Sequence, residues 1–313
     1  MNKITVIGAG SVGSTIAYSL VVMGIASEIV MIDINKEKAQ GEAMDIKQGV
    51  PFSHPASIYA GEYADAVDSD IVIITSGMAR KAGQSRLDLA QTNVNILKSV
   101  AAEIVPHAPN AIYIIVSNPV DVLTYVFHKI SGIPEERIIG SGTILDTARL
   151  RARVAEYYDV NEKNVHAYVL GEHGDSAFVP WSIANISNVP VCDYKNAIQN
   201  GGDYPDIDHE DVENYVRKSG ATVIQRKGAT FYAVSMSVCH LCKCLLSGID
   251  TTLTVSTMLH GEYGIDDVCL SLLSIVGKDG ATGKILLPLN EEEIKALHNS
   301  AECLKNIINN IEI

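Results

Sequence analysis

Ile4-Thr-Val-Ile7-Gly8-Ala-Gly10-Ser-Val-Gly13 decides how the first half of this chain folds. Ile4–Ile7 is apolar nearly throughout, as suits a strand buried on both faces of a parallel sheet. The three glycines follow at G-x-G-x-x-G spacing, directly after the strand and at the start of a helix-like stretch, Ser11–Met23. In that context the first glycine permits a tight turn, the second lets a pyrophosphate approach the backbone, and the third lets helix and strand pack closely. The free N–H groups at the helix start then face the phosphates. Asp33 stands twenty residues after Gly13, at the end of the next strand candidate, Ile29–Ile32. A carboxylate there accepts from the adenosine ribose hydroxyls and repels a 2′-phosphate, which favours NAD over NADP. An ordinary turn, an isolated nucleotide-binding module and an FAD site are the competing readings of the glycines.

Working outward, further strand candidates are Ile58–Ala60, Ile71–Thr75, Ile112–Val116 and Ile138–Ile139. Between them lie helix-like stretches at Lys36–Gln48, Leu87–Val105 and Asp121–Lys129. This alternation predicts an α/β fold with a doubly wound parallel (Rossmann) sheet. After Gly140 the pattern changes. Thr147–Tyr158 reads as a helix and Val165–Leu170 as a strand. Ile183–Asn188 and Val191–Tyr194 read as short antiparallel pieces, and Glu210–Leu246 as one long helical region. Asn290 and Glu293 have capping-box spacing at the start of a last amphipathic helix. The division expected is 1–140 as an NAD-binding domain and 141–313 as an α+β substrate domain.

The chain has 313 residues, 47% of them hydrophobic, and a net charge of −13. That suffices for a large core and argues against nucleic acid as a partner, because such a surface repels phosphate. The apolar run Ile71–Thr75 is too short to span a membrane. Lys3 and the apolar residues after it superficially resemble a signal peptide, but Gly8, Gly10, Gly13 and Ser14 fit a strand–turn–helix better. Six cysteines in so long a chain fit reduced thiols in a cytoplasm. Cys239-x-x-Cys242 lies in an apolar helical stretch with no second pair, so it reads as core and no metal site is expected.

The second half carries Gly171-Glu-His173-Gly174 and, upstream, Leu145-Asp146-Thr-Ala-Arg149. Oxidising a secondary alcohol by hydride transfer needs a base for the hydroxyl proton, which histidine supplies near neutral pH. An aspartate orients the imidazole, and an arginine clamps a substrate carboxylate through two hydrogen bonds. His173, Asp146 and Arg149 have the chemistry for these roles. A turn histidine and a helix-capping aspartate are the plainer readings, and spacing alone does not bring the three together.

These motifs, with Ser85-Arg86-Leu-Asp-Leu89, Val116-Ser-Asn118-Pro-Val-Asp121 and Gly140-Ser141-Gly142-Thr143, resemble the L-lactate/L-malate dehydrogenase family over essentially the whole chain. The resemblance implies a nicotinamide-dependent oxidoreductase of a small L-2-hydroxy acid. It implies His173 as proton donor/acceptor, Asp146 as its partner and Arg149 as carboxylate clamp. Arg86 would lie on a lid and polarise the substrate carbonyl. Asn118 would orient substrate or nicotinamide, Thr230 would line the substrate pocket, and Gly77, near the cofactor, and Gly83 would flank or lie within the lid. A homo-oligomer, as a tetramer, is also implied. Most of the chain resembles bacterial lactate dehydrogenases, and Arg151 and His166 match positions that bind fructose 1,6-bisphosphate in some of them. Arg80 is the exception. In that lid position malate-type enzymes carry arginine, which neutralises a second carboxylate, whereas burying an unpaired guanidinium against a methyl group is costly. L-lactate is the first reading and malate the alternative. A non-catalytic NAD-binding protein is the rival from another class.

Overall fold

The computed structural model describes residues 2–78, 86–199 and 204–313, excepting the side chain of Arg86. Arg80 and Gly83 therefore lie outside the described residues. In the first half, strands β1 (Lys3–Ile7), β2 (Glu28–Ile32), β3 (Ser57–Ala60), β4 (Ile71–Ile74), β5 (Ile112–Ile115) and β6 (Ile138–Gly140) alternate with helices. The helices are α1 (Ser11–Val22), α2 (Lys36–Gly49), α3 (Arg86–Ile104) and α4 (Val120–Ser131). The six strands pair in parallel, with Ile4 beside both Ile29 and Ile71. Helices cover both faces of the sheet, so Ile4, Ile29, Ile71, Ile73 and Ile74 are fully buried. Each such side chain contributes roughly 1.5–3 kcal/mol.

The second half adds α5 (Ile144–Tyr158), β7 (Val165–His166), β8 (Asn185–Ile186), β9 (Val189–Pro190), α6 (Val191–Ala197), α7 (His209–Lys227) and α8 (Tyr232–Leu245). It ends with β10 (Thr251–Glu262), β11 (Ile265–Gly277), β12 (Gly280–Lys284) and α9 (Glu291–Ile308). Strands β10–β12 form an antiparallel meander that extends the parallel sheet beyond β6. The nine strands run β12-β11-β10-β6-β5-β4-β1-β2-β3. The order reverses between β1 and β4, which opens a crevice outside the carboxyl ends of the strands at that point.

Three local expectations change. Val191–Tyr194 is helix α6, because Pro190 at its N-cap starts a helix and cannot donate to a ladder. The region Glu210–Leu246 is two helices, α7 stopping at Gly228, whose φ is +84°. The strand expected over Val165–Leu170 is only Val165–His166 plus an isolated bridge from Leu170 to Phe178. The capping box of α9 forms as read, Asn290 Oδ1 accepting from Glu293 N and Glu293 Oε2 from Asn290 N. No described helix is long and apolar enough to cross a membrane.

Candidate active site

The glycine turn after β1 has little freedom to be anything else. Gly8 adopts φ +104°, and a Cβ there would sit 2.6 Å from Thr75 Oγ1. At Gly13 a Cβ would lie 1.8 Å from the Gly8 carbonyl oxygen, so any side chain would push α1 off β1. Gly10 differs: a Cβ would meet nothing within 4 Å. That open space sits beside the N-terminus of α1, where free N–H groups and the helix dipole favour phosphate. Asp33 holds the turn from the next strand, Oδ2 accepting from Ala9 N (2.6 Å) and Oδ1 from Asn35 N (2.8 Å). The open cradle and the carboxylate beside it fit a dinucleotide with a free ribose diol.

A cleft of about 630 Å³ opens next to this turn. Among its lining residues are Gly77, Asn118, Asp146, Arg149, His173 and Thr230, so six of the positions read from sequence share one cavity. Met78, next to Gly77, and Asn118 are held together by Asn93 of α3, a buried residue that the sequence reading passed over. Its Oδ1 accepts from Met78 N at 2.7 Å, and its Nδ2 donates to Asn118 O at 2.7 Å.

At the other side of the cleft, His173 Nδ1 lies 2.5 Å from Asp146 Oδ2, and Arg149 Nη1 donates to Asp146 Oδ1 at 2.7 Å. Asp146 and Arg149 are one turn apart on α5, which puts both side chains on one face. The turn bearing His173 comes from a different part of the fold. Gly171 exchanges both backbone hydrogen bonds with Ser271 of β11, each at 3.0 Å. Glu172 N donates to Ser300 Oγ of α9 at 2.6 Å. Ser176 Oγ also donates to Glu172 Oε2. The helix, the sheet and the C-terminal helix thus fix where the imidazole meets the carboxylate.

Burial alone would lower the His173 pKa, but the Asp146 carboxylate outweighs it by charge and hydrogen bond and raises it to about 9. Burial likewise pushes the Asp146 carboxyl up, and His173 and Arg149 together reverse this and leave it below the usual range. At neutral pH the pair is an imidazolium–carboxylate. With Nδ1 directed at Asp146, Nε2 is the nitrogen left to serve a molecule in the cleft.

Arg86 opens α3. Arg151 Nε donates to Ala167 O at 3.0 Å and its guanidinium stacks over Tyr168. His166, next to Ala167, is exposed on β7. Cys239 and Cys242 are both buried in α8, the Cys239 thiol donating to Ile16 O of α1 at 3.7 Å. Among the described residues no group of three or more His, Cys, Asp or Glu side chains is arranged to hold a metal ion.

Comparison with known proteins agrees with this geometry. Residues 2–140 match the lactate/malate dehydrogenase NAD binding domain, and residues 143–312 match the lactate/malate dehydrogenase alpha/beta C-terminal domain. The chain is 46% identical over 314 aligned residues to an L-lactate dehydrogenase of Thermoanaerobacter pseudethanolicus, covering all of both chains. It is 47% identical to an L-lactate dehydrogenase of Clostridium botulinum, with 98% of this chain and 96% of that one covered. Among solved structures, the minor L-lactate dehydrogenase of Enterococcus mundtii superposes with a TM-score of 0.94 at 35% identity, covering 100% of this chain and 99% of that one. An L-lactate dehydrogenase of Clostridium thermocellum gives 0.89 at 38%, covering both chains fully. The chain belongs to the lactate/malate dehydrogenase family, a family of NAD-dependent 2-hydroxy acid dehydrogenases.

Proposed function

We propose that this protein interconverts pyruvate and L-lactate, and that the His173–Asp146–Arg149 constellation beside the open glycine turn carries the reaction. Gly8, Gly10, Gly13, Asp33, Gly77 and Asn118 hold the cofactor, and NADH, when bound, supplies the hydride. Arg149 pairs with the pyruvate carboxylate through the N–H groups it does not spend on Asp146, and Thr230 lines the substrate end. The His173 imidazolium gives its proton from Nε2 to the carbonyl oxygen as that oxygen gains charge, producing L-lactate. Asp146 keeps the imidazole in the right tautomer and stabilises its charged form. Arg86, at the start of α3, polarises the carbonyl once the substrate is enclosed. Every step runs backwards for lactate oxidation.

The observation that carries this reading is the 2.5 Å contact between His173 and Asp146 at the wall of a cleft that also holds Arg149. The names of the relatives support lactate. One residue favours the second reading: Arg80 has the charge to pair with the second carboxylate of oxaloacetate, giving a malate dehydrogenase. NADH oxidation with pyruvate and with oxaloacetate decides between them. A large preference for pyruvate supports lactate and removes Arg80 as the selectivity residue. A large preference for oxaloacetate supports malate, and Arg80→Gln then shifts the ratio toward pyruvate.

Two finer proposals accompany the reading. The charge of Arg151 and the imidazole of His166 suit a fructose 1,6-bisphosphate site, tested by adding that compound to both assays. A homotetramer, tested by light scattering, follows from the family. Helix α5 buries Leu150 and Val154 in this chain's own core, which leaves its other face for contact between subunits.

A further inference from the structure

Helix α7 forms one wall of the cleft, which Val216, Arg217, Gly220, Ala221 and Ile224 line. A Cβ on Gly220 would lie 3.8 Å from Arg149 Nη2, so this wall stands beside the carboxylate clamp on α5. The placing of α7 against α5 therefore sets the room left for a substrate's side chain. Yet α7 has a narrow apolar footing. Val212 and Val216 are the two buried residues among its 19. A helix with so few buried contacts depends on other bonds to keep its place.

Those bonds come from a polar stripe, His209, Glu213 and Arg217, spaced four residues apart and so on one side of the helix. The stripe meets Ala177–Trp181, the segment that follows the histidine turn. The ring of Trp181, the only tryptophan of the chain, stacks on His209 with 4.0 Å between centroids and 5° between planes. Trp181 Nε1 donates to Glu213 Oε1 at 2.8 Å. Glu213 Oε2 accepts from Arg217 Nη1 at 3.0 Å, and the same Nη1 donates to Ala177 O at 3.2 Å. Burial lowers the His209 pKa, against Glu213 and Asp208, so near pH 7 the stacked ring is neutral and the cation that Glu213 holds is Arg217.

We propose that Glu213 is a positioning residue that staples α7 to the segment behind the histidine turn, and that this staple sets how large a 2-oxo acid fits beside Arg149. This rests on the reading of the cleft as the substrate site. A carboxylate suits the task because it accepts at both oxygens at once, from the indole N–H and from the guanidinium. Glutamine offers one such oxygen, and alanine none.

The test is steady-state reduction of pyruvate and of phenylpyruvate by the full chain with saturating NADH. In Glu213→Ala the pyruvate KM is expected to rise about tenfold with kcat within roughly threefold of the parent. The kcat/KM ratio of phenylpyruvate to pyruvate is expected to rise by about fivefold or more, because a loosened wall yields to the larger side chain. Glu213→Gln falls between parent and alanine in both quantities. Trp181→Phe keeps the stack on His209 and loses only the N–H, so the pyruvate KM rises about threefold and the ratio moves the same way. The alkaline limb of the pH profile, set by His173, stays in place in all three. A residue that served stability alone would lower the melting temperature and leave the substrate ratio where it was, and that result overturns the proposal. An unchanged KM and ratio in Trp181→Phe overturn it too, and this variant answers even where Glu213→Ala does not fold. A parent that reduces no 2-oxo acid defeats the reading of the cleft itself, whereas an active parent matched by its variants defeats Glu213 alone.

Discussion

Asp146→Asn separates charge from shape at the centre of the site. The difference between a His173 pKa of about 9 and the ordinary 6.5 corresponds to about 3 kcal/mol of preference for the imidazolium. Asparagine removes the charge that sustains it and leaves the burial that opposes it, so the imidazole returns to about 6.5 or below. At about pH 7.5 the protonated fraction falls from ~97% to ~9%, and pyruvate reduction slows about tenfold. The same arithmetic gives roughly 80-fold at about pH 8.5 and almost no loss at about pH 5.5. The assay is NADH absorbance under subsaturating pyruvate from about pH 5.5 to 9.5, with KM followed separately, because freeing Arg149 from Asp146 Oδ1 also alters the carboxylate clamp. A parent-to-variant ratio that stays constant across pH refutes the reasoning: Asp146 would then orient the ring without setting its charge.

Arg149→Lys keeps the charge and loses the planar fork, so pyruvate KM is expected to rise by about 100-fold with a smaller change in kcat, read by steady-state kinetics. Gly13→Ala places a methyl group 1.8 Å from the Gly8 carbonyl, and the expected result is loss of NADH binding or of folded protein, read by NADH fluorescence and melting temperature. Stability follows the same pair. The folded-state pKa of His173 is raised, so its contribution is complete below about pH 6.5 and is lost as pH rises through about 9. That of Asp146 is lowered, so its contribution is present above the ordinary carboxylate range and lost on acidification. Denaturant midpoints are therefore expected to fall between about pH 6.5 and 9, and to fall less in Asp146→Asn.

Much of this was legible in the chain because local chemistry and global fold agree. Ile4–Ile7, Ile71–Thr75 and Ile112–Val116 have no polar face, and only a sheet covered on both sides accommodates them. Gly8 and Gly13 occupy places where a Cβ collides with the next strand or the next turn. The cleft was legible as a set of residue types, but not as a meeting. Asp146 and Arg149 are neighbours on one helix face, whereas His173 reaches them through bonds to Ser271 and Ser300, nearly a hundred residues or more further on. Asn93 escaped for the same reason: it lies in an otherwise ordinary helix and acts through backbone groups distant in sequence. The break at Gly228 was signalled by Arg226 and Lys227 just ahead of a glycine, and the β11–β12 hairpin by Asp279-Gly280; both signals went unread, and nothing local announces that these strands continue the first sheet.

That continuation sets an order for the chain's own synthesis. Strand β6 has β5 on one side, and on the other it meets β10 at the single pair Gly140–Ser256. A nascent chain emerging from the ribosome completes its six parallel strands more than a hundred residues before the strand that closes their open border. At ordinary elongation rates of 5–20 residues per second, that border waits roughly ten seconds for its cover. It spans only Ile138–Gly140, and so short a row of unpaired backbone groups gives a passing chain little to zip onto while the second half is still being made.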